Sequence, residues 1–282
     1  MAKKLLIGAA GVALFFGLLA ALLPTILHKA GLHPSYQGES VELPGKRALV
    51  ITTSHGTLNA PGETAGKATG VFASEMTVPY YTFLDGGMQV DIASVQGGEI
   101  PVDPESFFYA VRTAEDERYL QDAVVQAKVK NSLRIDEVDF TQYDIIFMAG
   151  GWGAAYDLGY SDVLGRKVSE AYYDSSAVIG GVCHGVLGLI KAEDKDGKLL
   201  IAGRRMTGVS DKQIKELGIE VTPQHPETEL RKAGAEYEKQ TAFRDIFATH
   251  VVVDDERRFV TGQNQNSGYE TAHQMMAIVA KP

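Results

Sequence analysis

Short apolar runs recur along this chain at Ala48 to Thr53, Val90 to Val95, Asp144 to Ala149, Ala177 to Cys183 and His250 to Val253. Each is four to seven residues long and nearly unbroken by polar side chains, as befits strands buried on both faces rather than half-solvated ones. Helical patterns separate them at Ala114 to Val129 and Ser161 to Tyr173, and a last helix is expected from near Gly268 to Ala280. Strand and helix alternating in this way specify an α/β fold with a mainly parallel sheet. Lys198 to Thr207 and Arg257 to Thr261 are candidates for added strands or hairpins. The sequence has no internal repeat and no G-x-x-x-x-G-K-[ST] phosphate loop.

The N-terminus carries a different signal. Lys3 and Lys4 precede an uncharged, mostly apolar run from Leu5 to Leu23, which as a helix spans roughly 28 Å, close to the thickness of a bilayer core. The run exceeds the apolar core of a signal peptide, and no Ala-x-Ala motif follows it, so an uncleaved anchor is expected over a protein exported after signal cleavage. The lysines before the span place the catalytic part outside the cytoplasm. The resulting organisation is an anchor over 1–27, with its transmembrane helix at about 5–27, a Gly- and Pro-bearing linker over 28–44, and one α/β domain over 45–282.

Charge and cysteine usage narrow the chemistry. Lys and Arg number 27 against 36 Asp and Glu, a formal net charge of −9, which repels a phosphate backbone and argues against a nucleic-acid partner. A single cysteine, Cys183, excludes an intrachain disulfide, and no His or carboxylate spacing suggests a metal site. His55, His250 and His273 accordingly read as structural, although His55 follows the first strand and is placed to line a pocket.

The motif Gly180-Gly181-Val182-Cys183-His184-Gly185 ends one apolar run and opens another. A strand, a tight turn flanked by glycines and a helix leave the cysteine exposed at the carboxyl edge of the sheet, where the helix N-terminus is expected to lower the thiol pKa. Free cysteine is more often a small buried hydrophobe, but the flanking glycines and adjacent histidine favour a nucleophile. A second turn, Ala149-Gly150-Gly151-Trp152-Gly153, reads equally as an ordinary strand-to-helix turn or as the source of a Gly151 N–H that joins that of His184 in stabilising an oxyanion.

With these landmarks the chain resembles the ThiJ/PfpI superfamily, which is similar to class I glutamine amidotransferases, and within it the glyoxalase III and chaperone-like branch. The likeness covers nearly all of 45–282. It rests on Thr69-Gly70 through Glu75 and Pro79, Asp91-Ile92-Ala93-Ser94, Gly97-Gly98 with Pro101-Val102-Asp103-Pro104, Ala149-Gly150-Gly151, the Cys183-His184 elbow, Thr207-Gly208, and Thr261-Gly262-Gln263-Asn264. The resemblance implies a flavodoxin-like three-layer sandwich, here preceded by one N-terminal transmembrane helix. It also implies Cys183 as nucleophile, Glu75 as the acid beside its sulfur and His184 as proton shuttle, acting on a small carbonyl compound such as methylglyoxal without cofactor, metal or glutathione. Some relatives are deglycases, chaperones or peptidases, and a homodimer or a membrane-tethered stress chaperone is within the family's range.

The chain departs from the pattern at two places. Trp152 stands where relatives commonly carry histidine, so a bulky indole is expected to narrow the pocket. After Thr207-Gly208-Val209, where a glutamate usually orients the histidine, the sequence reads Ser210-Asp211-Lys212-Gln213. Asp211 is a substitute orienting acid, but Ser210 and Asp211 fit a helix N-cap better. His225-Pro226-Glu227 copies the tripeptide that completes the amidotransferase triad, yet Pro226 also suits the first turn of a helix, which is the expected reading.

Overall fold

The structure is a computed structural model that describes residues 2–281, with side chains from Leu14 onward. Its centre is a seven-stranded sheet whose strands, numbered along the chain, are β1 (Arg47–Thr52), β2 (Gln89–Ser94), β3 (Leu133–Arg134), β4 (Ile145–Met148), β5 (Val178–Val182), β6 (Val251–Val253) and β7 (Phe259–Gly262). They lie in the order β6-β7-β5-β4-β1-β2-β3, all parallel except β6, which pairs antiparallel with β7. This is the mainly parallel, flavodoxin-like arrangement expected from the sequence.

The apolar runs are continuous because each strand has a core on either side. In β1, Ala48 and Val50 pack with Met76, Tyr80 and Phe83 of helix Ala73–Asp85 and with Met275 and Met276 of helix Gly268–Ala280. Leu49 and Ile51 point the other way, into a second cluster with Leu164 and Val168 of helix Asp162–Asp174 and Leu230 of helix Pro226–Lys232. Alternate residues thus face opposite layers.

Two expected elements come out differently. The single helix expected over Ala114 to Val129 is two, Ala114–Tyr119 and Ala123–Lys130, because Asp122 restarts the helix by accepting hydrogen bonds from the Val124 and Val125 N–H groups. Within Lys198 to Thr207 only Arg205–Met206 is a strand, paired with Glu236–Tyr237 outside the main sheet.

The N-terminal reading needs correction. Ala2–Lys29 forms a helix of 28 residues, but among the described residues no helix is long and apolar enough to cross a membrane. The transmembrane helix is therefore removed from the fold, and the membrane-anchored, extracytoplasmic placement goes with it. The side chains of residues 3–13, on which the orientation rested, lie outside those described. What the structure does give is contact with the body of the protein. The Tyr109 hydroxyl donates to the Ala20 carbonyl (3.1 Å), and Asn266 Nδ2 donates to the Gly31 carbonyl (3.0 Å). His33 is buried; its backbone N–H donates to Asn266 Oδ1 (2.9 Å) and its ring Nε2 faces the Val111 carbonyl (2.9 Å).

Candidate active site

Parallel strands deliver their carboxyl ends to one edge, and loops leaving that edge form the crevice in which such folds bind ligands. Strand β5 ends at Val182, and Cys183 follows with φ +57°, in the left-handed region. For a residue with a side chain this costs about 1–3 kcal/mol and is kept where surrounding structure enforces it. The enforcement is visible: a Cβ on Gly185 would lie 2.1 Å from the Met148 carbonyl oxygen, so the chain after Cys183 presses directly on the end of β4. The segment Cys183–Leu189 is a tight 3-10 helix rather than the α-helical stretch expected.

The turn after β4 supplies the second wall. Gly151 has φ +92°, and a Cβ there would meet the backbone N of Phe72 at 2.3 Å. This close approach brings the start of helix Ala73–Asp85 against the turn and carries Glu75, in its first turn, to the sulfur. The Gly150 N–H donates to Glu75 Oε2 (3.0 Å), which holds the carboxyl beside the Cys183 thiol. The backbone N–H groups of His184 and Gly151 both act on the Cys183 sulfur, each favouring its ionised form.

Electrostatics at this centre are governed by burial. Glu75 is 2% exposed, and loss of hydration raises its carboxyl to about 8, against the opposing hydrogen bonds from Cys183, Gly150 and Gly151. The Cys183 thiol is pushed well above its ordinary value, first by burial and then by the neighbouring Glu75 charge, with the His184 and Gly151 N–H groups pulling the other way. The sequence-based expectation of a lowered thiol pKa is thus reversed: two buried acids share one pocket, and neither easily bears a charge alone. Burial likewise holds His184 neutral, lowering it to about 3.

His184 Nδ1 lies 3.6 Å from Cys183 Sγ, while its Nε2 is buried without a hydrogen-bond partner. Asp211 does not orient that ring. Its Oδ2 accepts from the Thr228 hydroxyl (2.8 Å) and its Oδ1 is 4.0 Å from His225 Nδ1, while Ser210 is the N-cap, accepting from the Gln213 N–H (3.1 Å). Trp152 instead packs edge-on against the His184 ring, with centroids 5.2 Å apart. His225 immediately precedes helix Pro226–Lys232, whose first residue is Pro226. Glu227 binds Lys239 (2.8 Å) and Arg231 (3.2 Å) and accepts the Asp211 N–H, so the amidotransferase-like dyad does not assemble. His55 stacks on Tyr156 and His273 on Tyr36, and His250 faces Glu238.

Cys183, Glu75, Gly151 and Trp152 line a cavity of about 580 Å³. The rest of its wall was not foreseen from the sequence: Phe107, Phe108 and Val111 come from one loop, Leu217 and Ile219 from the end of helix Asp211–Leu217, and Ile246 from a third segment. No group of three or more His, Cys, Asp or Glu side chains able to hold a metal is present among the described residues.

The sequence pattern of the DJ-1/PfpI family matches residues 67–278. The chain belongs to the DJ-1/PfpI family. It is 29% identical over 234 residues to the curated "Glyoxalase 3" of Candida albicans, covering 82% of this chain and 97% of that protein. A second relative is a "Glutathione-independent glyoxalase" of Schizosaccharomyces pombe, 27% identical, with 83% and 96% covered. Among solved structures, the Rapid Encystment Protein of Francisella tularensis superposes with a TM-score of 0.75 at 32% identity, covering 83% of this chain and 99% of that one. The glyoxalase III of Candida albicans superposes with a TM-score of 0.72 at 26% identity, covering 82% and 96%. These matches bear out the resemblance read from the motifs, including the glyoxalase III branch.

Proposed function

We propose that this DJ-1/PfpI family member is a glutathione-independent glyoxalase that converts a 2-oxoaldehyde such as methylglyoxal to the 2-hydroxy acid through Cys183. The observation that carries the reading is Cys183 on a strained turn at the lining of a cavity, beside a buried carboxyl of unusually high proton affinity. The names of the curated relatives support the same activity.

In the first step the sulfur adds to the aldehyde carbon as the thiol proton passes to the ionised Glu75, and the aldehyde oxygen takes up a proton to give a hemithioacetal. A carboxylate whose conjugate acid titrates near 8 is a far better proton acceptor than an ordinary one. The His184 and Gly151 N–H groups hold the sulfur's developing charge. Next, the proton on the former aldehyde carbon leaves and the neighbouring carbonyl carbon gains one through an enediol, producing a thioester. In this reading His184, whose Nδ1 lies 3.6 Å from Cys183 Sγ, carries that proton between the two carbons. Water then cleaves the thioester, releasing the 2-hydroxy acid and restoring the thiol, so the net change is addition of one water with no external oxidant or reductant.

The test is incubation of the purified protein with methylglyoxal in the absence of glutathione, with lactate followed by NMR. Lactate formed by the wild type and lost in Cys183→Ala supports the proposal. No lactate, or lactate from Cys183→Ala at the wild-type rate, overturns it.

A further inference from the structure

The cavity beside Cys183 is much larger than a three-carbon substrate needs. Its volume of about 580 Å³ lies in the range that encloses drug-sized molecules, and methylglyoxal occupies only a small part of that. The wall away from the sulfur is mainly apolar, with Phe107, Phe108, Val111, Leu217, Ile219 and Ile246 beside the uncharged Gln213 and Gln265, and none of the six apolar side chains is fully buried. They stand half in solvent around a concave surface, an arrangement whose hydration is released when an apolar group enters. The charged side chains that line it are Glu75 and Glu105, and no lysine or arginine does so.

Resting on the glyoxalase reading, we infer that the site is selective for neutral 2-oxoaldehydes bearing a medium-chain alkyl or aryl group, with the aldehyde at Cys183 and the apolar tail against the Phe107 to Val111 loop, Leu217, Ile219 and Ile246. Trp152, edge-on to His184, lines the same cavity beside Cys183.

The experiment compares kcat/KM across straight-chain 2-oxoaldehydes from methylglyoxal to 2-oxooctanal, whose carbonyl electronics are nearly constant, together with an analogue ending in a carboxylate. Each methylene taken out of water is worth about a fourfold gain in affinity. With incomplete burial, kcat/KM for 2-oxooctanal is expected to exceed that for methylglyoxal at least tenfold, chiefly through KM, and the carboxylate analogue is expected to be the worst of its length. Ile246→Asp and, on a separate element, Leu217→Asn are each expected to lower the ratio of 2-oxooctanal to methylglyoxal by about tenfold, with circular dichroism confirming folded protein. A flat or falling series with methylglyoxal still turned over overturns the inference and leaves the glyoxalase reading standing, as does a carboxylate analogue used as well as its neutral counterpart. Failure to turn over any of these aldehydes overturns both.

Discussion

At the scale of single residues the decisive pair is Cys183 and Glu75. Burial raises the folded carboxyl to about 8 from 4.5. The stability this group contributes is therefore fully present below pH 4.5 and is lost as pH climbs through 8. Glu75→Gln removes that loss, so the variant is expected to be more stable than wild type by about 2–4 kcal/mol at pH 8, the gain closing toward pH 4.5; thermal melts at both pH values check this. Its kcat/KM is expected to fall at least about 100-fold; a rise of activity with pH is expected in the wild type as Glu75, raised to about 8 by burial, loses its proton, and in the variant that rise should move to higher pH because the thiol must then ionise without a proton acceptor. A gain in stability paired with a loss of activity distinguishes a functional carboxyl from a structural one. Cys183 was legible from its glycine-flanked motif alone, whereas Glu75 was found only through the family resemblance. By spacing it is an ordinary first-turn carboxylate, and what makes it unusual is burial, which one-dimensional sequence does not display.

At the scale of elements, the strands and the final helix were readable because their apolar periodicity is strong, and helix Gly268–Ala280 matches the expected span residue for residue. The break at Asp122 went unread because the apolar pattern runs on across it. The capping side chain, which also accepts from the Tyr81 hydroxyl (3.2 Å), decides there. Asp122→Ala is expected to cost about 1 kcal/mol in chemical denaturation. The elbow is less forgiving. Gly185→Ala drives a methyl group into the Met148 carbonyl, 2.1 Å from the ideal Cβ position. The 3-10 segment must then shift, with an expected loss of about 1–3 kcal/mol and a fall in kcat out of proportion to any change in KM, because the sulfur and the His184 N–H move together. The pocket's apolar wall escaped the sequence reading for a topological reason. Phe107, Leu217 and Ile246 are brought together only by the folded chain, and none belongs to a periodic pattern that singles it out.

For the molecule as a whole, the stretch following the N-terminal helix is pinned to the domain, which the Gly and Pro content of 28–44 did not reveal. His33 is the pin, and burial lowers its ring to about 4 from 6.5. Its contribution is present above pH 6.5 and is lost as pH falls toward 4, since the unfolded segment takes up the proton more readily. Amide hydrogen exchange across residues 30–36 is therefore expected to speed up over that interval beyond the chemical pH dependence, and Asn266→Ala, which removes the partner of both Gly31 and His33, should produce the same loosening at pH 7. Protection unchanged in both cases would show that this segment is held by other contacts.

The proposed reaction depends on a covalent bond to one sulfur, and mass spectrometry of protein quenched in acid during turnover of methylglyoxal tests it most directly. The peptide containing Cys183 is predicted to gain the mass of one substrate molecule while substrate lasts and to lose it as the 2-hydroxy acid accumulates. Sustained turnover with that peptide unmodified at every time point would contradict the account.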